Sequence, residues 1–230
     1  MSRSPGPSTS RRDMHCFACP LISISSAGAL IAASIITACI FSVSFRYVQN
    51  DESRGTKFFG LFRFCYEPNS DYPYSGGMDL HAHEFGYACH LRRRAPKHVP
   101  VDYRQFYSDF ELCTLILLAL AVLSSFMAVG FAICTLYSPL CAAAHSLVVL
   151  IAAFSSTSAY IVYTYHNELK ENQMESTNGQ LYLYHYGWAY YYTAASAAIL
   201  LVSFVLSLVS SALYLRHRSL EQEKRISLYL

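Results

Sequence analysis

Histidines at alternate positions followed by a carboxylate, His81-Ala82-His83-Glu84, with His90 and His98 close by, are the residues of this chain best suited to hold a metal. Alternate positions on a strand point to the same side, and imidazole is a common zinc ligand. No second ligand pair follows at a firm spacing, so these read as surface histidines by default and no metal is assigned. Nucleophile and cofactor signatures are missing too: there is no Gly-rich phosphate loop, no Gly-x-Ser-x-Gly elbow and no His-Glu-x-x-His helix. No catalytic residue and no cofactor is therefore assigned, and the chain is not expected to be an enzyme. What remains is chemistry of contact. Arg92-Arg93-Arg94 with Lys97 forms a basic run that could meet an acidic patch on a partner ectodomain or lipid headgroups, or could simply be solvated. Cys16 and Cys19, beside the first apolar run, could be palmitoylated or stay free. The terminal Leu228-Tyr229-Leu230 has a hydrophobic residue at the end and another two positions back, a form that a PDZ scaffold can take up as an added strand. Ser219 and Ser227, near Arg218 and Arg225, could be phosphorylated, which would weaken the hold of that basic segment on anionic lipid.

Hydropathy defines the elements that carry these residues. Leu21–Phe45, Thr114–Tyr137, Ala142–Tyr165 and Ala189–Leu215 contain no Asp, Glu, Lys or Arg, although the chain has 17 basic and 15 acidic residues. About 20 such residues cross the hydrocarbon core of a bilayer, so four spans are predicted. The 53% hydrophobic and 14% charged composition fits a single bundle, and a net charge of +2 gives no reason to expect a nucleic-acid partner. Ionisable groups inside spans usually mark ion paths. Only His145, near the start of the third span and within reach of the headgroups, titrates near neutrality in these segments. The chain is not expected to conduct or pump by itself. Small residues such as Ala29, Ala33, Ala121, Ala128, Ala152 and Ala159 predict close helix packing.

Orientation follows from the tails. Arg3, Arg11 and Arg12 precede the first span, and Arg216, Arg218, Lys224 and Arg225 follow the last, whereas Lys170 alone faces three glutamates in the third connection. Short cytoplasmic segments collect Lys and Arg. Residues 1–20 are accordingly expected as a disordered cytoplasmic tail, 46–113 as extracellular loop 1, 138–141 as a cytoplasmic turn, 166–188 as extracellular loop 2, and 216–230 as a second cytoplasmic tail. The expected location is the plasma membrane.

Loop 1 holds 14 aromatic residues, too many for a disordered linker, and Pro68, Asn69, Gly76 and Gly77 supply turns between aromatic-rich strands. Of the eight cysteines, only Cys65 and Cys89 lie well inside this segment, where an oxidising exterior predicts a disulfide between them. Closing a loop of about 25 residues would contribute roughly 3 kcal/mol. In loop 2, Leu and Tyr alternate over Gly179–Trp188, which predicts a strand pairing with the sheet of loop 1. Trp188, Tyr190, Tyr191 and Tyr192 then form an interfacial aromatic belt.

Gly60-Leu61-Phe62-Arg63-Phe64-Cys65 resembles the Gly-Leu-Trp-x-x-Cys signature of the claudin and peripheral-myelin-protein superfamily, with Cys89 as its second cysteine and Phe62 where the signature has tryptophan. Tyr186-Gly187-Trp188-Ala189-Tyr190-Tyr191 is similar to the Tyr-Gly-Trp-Ser-Phe-Tyr entry to the last span of the voltage-gated calcium channel gamma subunits, whose stargazin-like branch regulates AMPA-type glutamate receptors. The resemblance implies a left-handed four-helix transmembrane bundle capped by an extracellular antiparallel sheet, four strands from loop 1 and one from loop 2. It also implies an auxiliary subunit leaning on a channel or receptor in the same membrane. The alternative is a claudin-like junction protein that meets further copies of itself.

Overall fold

The computed structural model describes residues 9–50, 55–67, 88–92, 108–135, 138–169, 173–177 and 180–229. Four long helices dominate: α1 (Thr9–Phe41), α2 (Asp109–Cys134), α3 (Pro139–Glu168) and α4 (Trp188–Tyr229). Their apolar parts, Pro20–Phe41, Asp109–Cys134, Leu140–Glu168 and Trp188–Arg216, have mean hydropathies of 2.1, 2.6, 1.8 and 2.3. Each is long enough to cross a hydrocarbon core of about 30 Å at a rise of about 1.5 Å per residue.

Side-chain size sorts against burial in the way a lipid environment demands. Ala29, Ala32, Ala33, Ala121, Ala128, Ala152, Ala153 and Ala159 are buried, whereas Leu30, Ile31, Leu123, Phe126, Phe154 and Val202 stand exposed. A water-soluble bundle would place the large residues inside. In lipid the small ones go inside because close backbone approach, not apolar burial, holds the helices together.

Helix ends follow local chemistry. Ser108 caps α2, its carbonyl accepting from the amides of Glu111 and Leu112 at 3.0 and 3.1 Å. Ser138-Pro139 opens α3, with proline at the first helical position, where its missing N–H costs nothing. All four helices begin before the apolar pattern predicts: α2 starts at Asp109, and α3 starts at Pro139, within the expected 138–141 turn, and runs on to Glu168; α1 and α4 depart most. α1 begins at Thr9 inside the expected disordered tail, with Pro20 in its interior, and α4 continues through the expected C-terminal tail to Tyr229. Once a span has nucleated a helix, each further residue adds a hydrogen bond at small entropic cost. The Glu-, Gln-, Lys- and Arg-rich stretch after Arg216 has good helix formers, including Glu221 and Arg225 at i,i+4.

The strands are β1 (Arg46–Asn50), β2 (Gly55–Phe59), β3 (Arg63–Glu67), β4 (Ala88–Leu91), β5 (Met174–Thr177), β6 (Gln180–Leu183) and β7 (His185–Tyr186). Five form an antiparallel sheet in the order β4-β3-β2-β1-β7, four strands from loop 1 and one from loop 2. The expected strand over Gly179–Trp188 is corrected in one respect. Only His185–Tyr186 joins β1, through Arg46↔Tyr186 and Tyr47↔His185, while β6 pairs with β5 in a separate hairpin. Asn178-Gly179, between those two strands, is a dipeptide that favours such a local partner.

The chain forms two compact units. One comprises Met1–Ser34, Leu120–Ser155 and Ser196–Leu230, and the other Ile35–Ala119 and Ser156–Ala195. The sheet belongs to the second.

Candidate functional site

In the second unit, the motif residues and a buried ion cluster fasten the sheet to its helices. Cys65 and Cys89 stand opposite each other in the β3–β4 register and form the disulfide, with Cα atoms 4.1 Å apart. Gly60 makes the turn into β3, its amide donating to the Arg63 carbonyl at 2.8 Å. A methyl group there would run into the Ser42 carbonyl oxygen and come within 2.8 Å of Val43 Cα, so only glycine fits. Leu61 is fully buried, and Phe62, in the place of the signature tryptophan, stacks on Phe41 at 5.7 Å.

Tyr186 and Gly187 serve the other edge. Gly187 donates to the Phe45 carbonyl at 2.9 Å, and a Cβ on it would strike the Ser44 carbonyl oxygen. Tyr186 stacks on Tyr190 at 4.1 Å, and the Tyr190 hydroxyl lies 2.9 Å from that of Thr164 and 3.0 Å from that of Tyr160. Trp188, Tyr191 and Tyr192 are exposed, the arrangement of an aromatic belt at the membrane boundary.

Beside these motifs lies a cluster that the spacing of residues along the chain does not disclose. Glu111, only 1% exposed, sits in the first turn of α2. Its Oε1 accepts from Arg46 at 2.9 Å, and its Oε2 accepts from Arg92 at 2.6 Å and from the Ser108 amide at 3.1 Å. Arg46 also donates to Asn167 Oδ1 at 3.2 Å and lies 4.4 Å from the centre of the Tyr184 ring. Arg92 donates in addition to the Gly60 carbonyl at 3.0 Å. One carboxylate thus ties β1, the end of β4 and the Gly60 turn to α2, and Asn167 extends the tie to α3. Such a buried cluster gains less net stability than its contacts suggest, because desolvating three charges is expensive. Removing one member is still costly, since the others stay buried.

This geometry corrects the reading of Arg92. It is buried and bound within the protein, so it cannot offer its charge to a partner or to lipid; Arg93, Arg94 and Lys97 lie outside the described residues. The signal for Glu111 was present as Ser108-x-x-Glu111 ahead of an apolar run, a capping box in which the glutamate reaches back to the amide of its cap.

Among the other candidates, His81, His83, Glu84 and His98 lie outside the described residues, and so does the side chain of His90. Cys16 and Cys19 have helical main chain in α1, with side chains outside the description. Leu228 and Tyr229 are helical in α4, not in the extended form needed for strand addition, and Leu230 lies outside.

In the first unit, His145 is fully buried, not directed to the headgroups as its position in the span suggests. Its Nδ1 donates to the Ala128 carbonyl at 2.9 Å, while Nε2 faces Ser25 Oγ at 3.5 Å. Ser25 gives its own proton to the Ser203 carbonyl at 2.8 Å. Further along, Ser211 donates to the Ala142 carbonyl at 2.8 Å, and Ser146 Oγ lies 2.6 Å from Ser211 Oγ and 2.8 Å from Ser207 Oγ. These bonds join α1, α2, α3 and α4 by short polar groups, which is how helices associate where apolar burial gives little.

A family model described as Clc-like matches residues 21–219, from the start of the first apolar segment to just past the last. No curated protein matches the chain.

Proposed function

Because the chain belongs to the Clc-like family, a family of claudin-like tetraspan membrane proteins, we propose that it is an auxiliary subunit that modulates the gating and trafficking of a plasma-membrane ion channel, with both termini in the cytoplasm. The observation that carries this reading is the mounting of the sheet. The disulfide staples two of its strands, the two close-approach glycines seat it on the Ser42–Ser44 backbone that follows α1, and the Arg46–Glu111–Arg92 cluster with Asn167 ties it to α2 and α3. A channel segment that binds such a rigid lobe in one of its states only is biased toward that state, since an auxiliary subunit shifts an equilibrium by its difference in affinity between the two. The gamma-subunit-like entry at Tyr186-Gly187-Trp188 favours a voltage-gated calcium channel or an AMPA-type glutamate receptor as the partner. Exposed apolar faces on the spans, such as Leu123, Phe126 and Met127 on α2, would meet lipid or the partner's helices. Co-expression with these channels tests the proposal: a change in surface current or kinetics, with co-purification in mild detergent, is expected. No effect on any of them and no co-purification removes it.

Membership of a claudin-like family favours a second reading, a junction protein whose lobe meets further copies across or along membranes. Expression in an epithelial layer separates the two. Strand formation or altered transepithelial resistance supports the junction role.

A further inference from the structure

Two free cysteines meet where α2 gives way to α3. Cys134 is the last residue of α2 and Cys141 lies in the first turn of α3, seven positions on, with the sulfur atoms 2.8 Å apart. The Cys141 thiol donates to the Cys134 sulfur, so the two groups are in direct contact. Both side chains are partly exposed at the ends of their span helices, and hydrogen peroxide is a small uncharged molecule. Ser138-Pro139 sets the approach: Ser138 donates its amide to the Cys134 carbonyl at 3.1 Å and accepts from the Cys141 amide at 3.2 Å. One residue therefore hydrogen-bonds the main chain of both cysteines. Cys39 is buried and Cys113 is exposed.

We propose that Cys134 and Cys141 are a redox-sensitive dithiol, oxidised by a peroxide to an intramolecular disulfide and returned by a thiol reductant. In the forward direction one thiolate attacks a peroxide oxygen, the O–O bond breaks, and a sulfenic acid and one water form. The second thiol then displaces hydroxide from that sulfenic sulfur, giving the S–S bond and a second water. Two sulfurs lose two electrons in total, and hydrogen peroxide accepts them. A monothiol such as glutathione reverses the step by exchange through a mixed disulfide. The bond would covalently tie the end of α2 to the start of α3 without moving either helix far, because the sulfurs already touch. Closeness to a resolving cysteine distinguishes such a pair from isolated structural thiols.

The experiment uses the full chain in native membrane vesicles. Vesicles are treated with dithiothreitol, with hydrogen peroxide, or with peroxide followed by dithiothreitol; free thiols are then trapped by a maleimide under denaturing conditions, and the protein is digested with chymotrypsin. Leu136 and Tyr137 separate the two cysteines, so cleavage there leaves two peptides joined only if the disulfide exists. Peroxide should produce the joined peptides with loss of two maleimide adducts, and dithiothreitol should restore both. In C134S and C141S the joined species should vanish, and the remaining cysteine should be recovered as a sulfenic acid trapped by a dimedone-type reagent. The proposal is overturned if peroxide oxidises the two cysteines independently with no joined species, or if the joined peptides persist equally after reductant. Loss of the Cys65–Cys89 crosslink in a variant would mark misfolding, and quantitation is then taken from the wild-type redox titration alone, which decides the matter by itself.

Discussion

Glu111→Gln is the sharpest probe of how the lobe is attached. The side chain keeps its shape, but its charge is gone and one oxygen becomes an NH2 group facing a guanidinium. Glu111 accepts three hydrogen bonds, from Arg46 at 2.9 Å, Arg92 at 2.6 Å and the Ser108 amide at 3.1 Å, and the first two are charge-assisted at almost no exposure. Breaking a buried pair by removing one partner costs about 3–5 kcal/mol. Arg46 would retain Asn167 and the Tyr184 ring, and Arg92 would retain the Gly60 carbonyl, so the lower end, about 3 kcal/mol, is expected. That corresponds to an increase of roughly 100-fold in the open fraction of the lobe. Limited proteolysis in detergent micelles reads that fraction directly when reclosing outpaces cleavage. Asp109→Asn is the matched control. It removes the same charge from the same helical turn at an exposed position and should cost less than about 1 kcal/mol. Raising salt should leave the Glu111→Gln effect in place, because buried pairs are weakly screened. If Glu111→Gln and Asp109→Asn open the lobe to the same extent, the cluster does not hold the sheet and the reasoning fails.

Further outcomes follow from the same contacts. Gly60→Ala should prevent the lobe from closing, since the obstructing atoms are the Ser42–Val43 backbone; loss of surface expression with retained synthesis is the readout. Gly130→Ala, by contrast, meets nothing within 4 Å and should change the SDS-unfolding midpoint little or raise it, because alanine favours a helix interior by about 1 kcal/mol. Cys65→Ser should abolish the mobility difference between reduced and unreduced protein that this crosslink causes and cost about 2–5 kcal/mol in lobe stability. His145→Ala leaves the Ala128 carbonyl without its imidazole donor and should lower the SDS-unfolding midpoint by an amount equivalent to about 1–3 kcal/mol, measured by circular dichroism.

What could be read from residue order alone was whatever depended on local pattern. The four spans were legible because charge is excluded from segments about 20 residues long, and the Cys65–Cys89 pairing was legible because few cysteines lie in the outer loop. The sheet's make-up was legible through the motif resemblance. Pairings between distant residues were not. Arg46 and Glu111 are 65 positions apart and Arg92 belongs to a run of basic residues, so the two arginines look like ordinary surface charge and Glu111 like no more than a helix cap until the fold brings them together. His145 likewise looked peripheral by its place near a helix end, and only the approach of α1 and α2 encloses it. The extent of α1 and α4 was missed because hydropathy marks where lipid stops and not where the helix does.

Gly60 and Gly187 stand 127 positions apart, yet both abut the same short stretch, Ser42 to Ser44, where the chain leaves α1 for the sheet. The two most recognisable motifs of this protein are therefore the jaws of a single vice closed on one piece of backbone. A methyl group on either glycine would push on that same backbone, so two positions far apart in the chain act as one constraint on how the sheet leaves its helix.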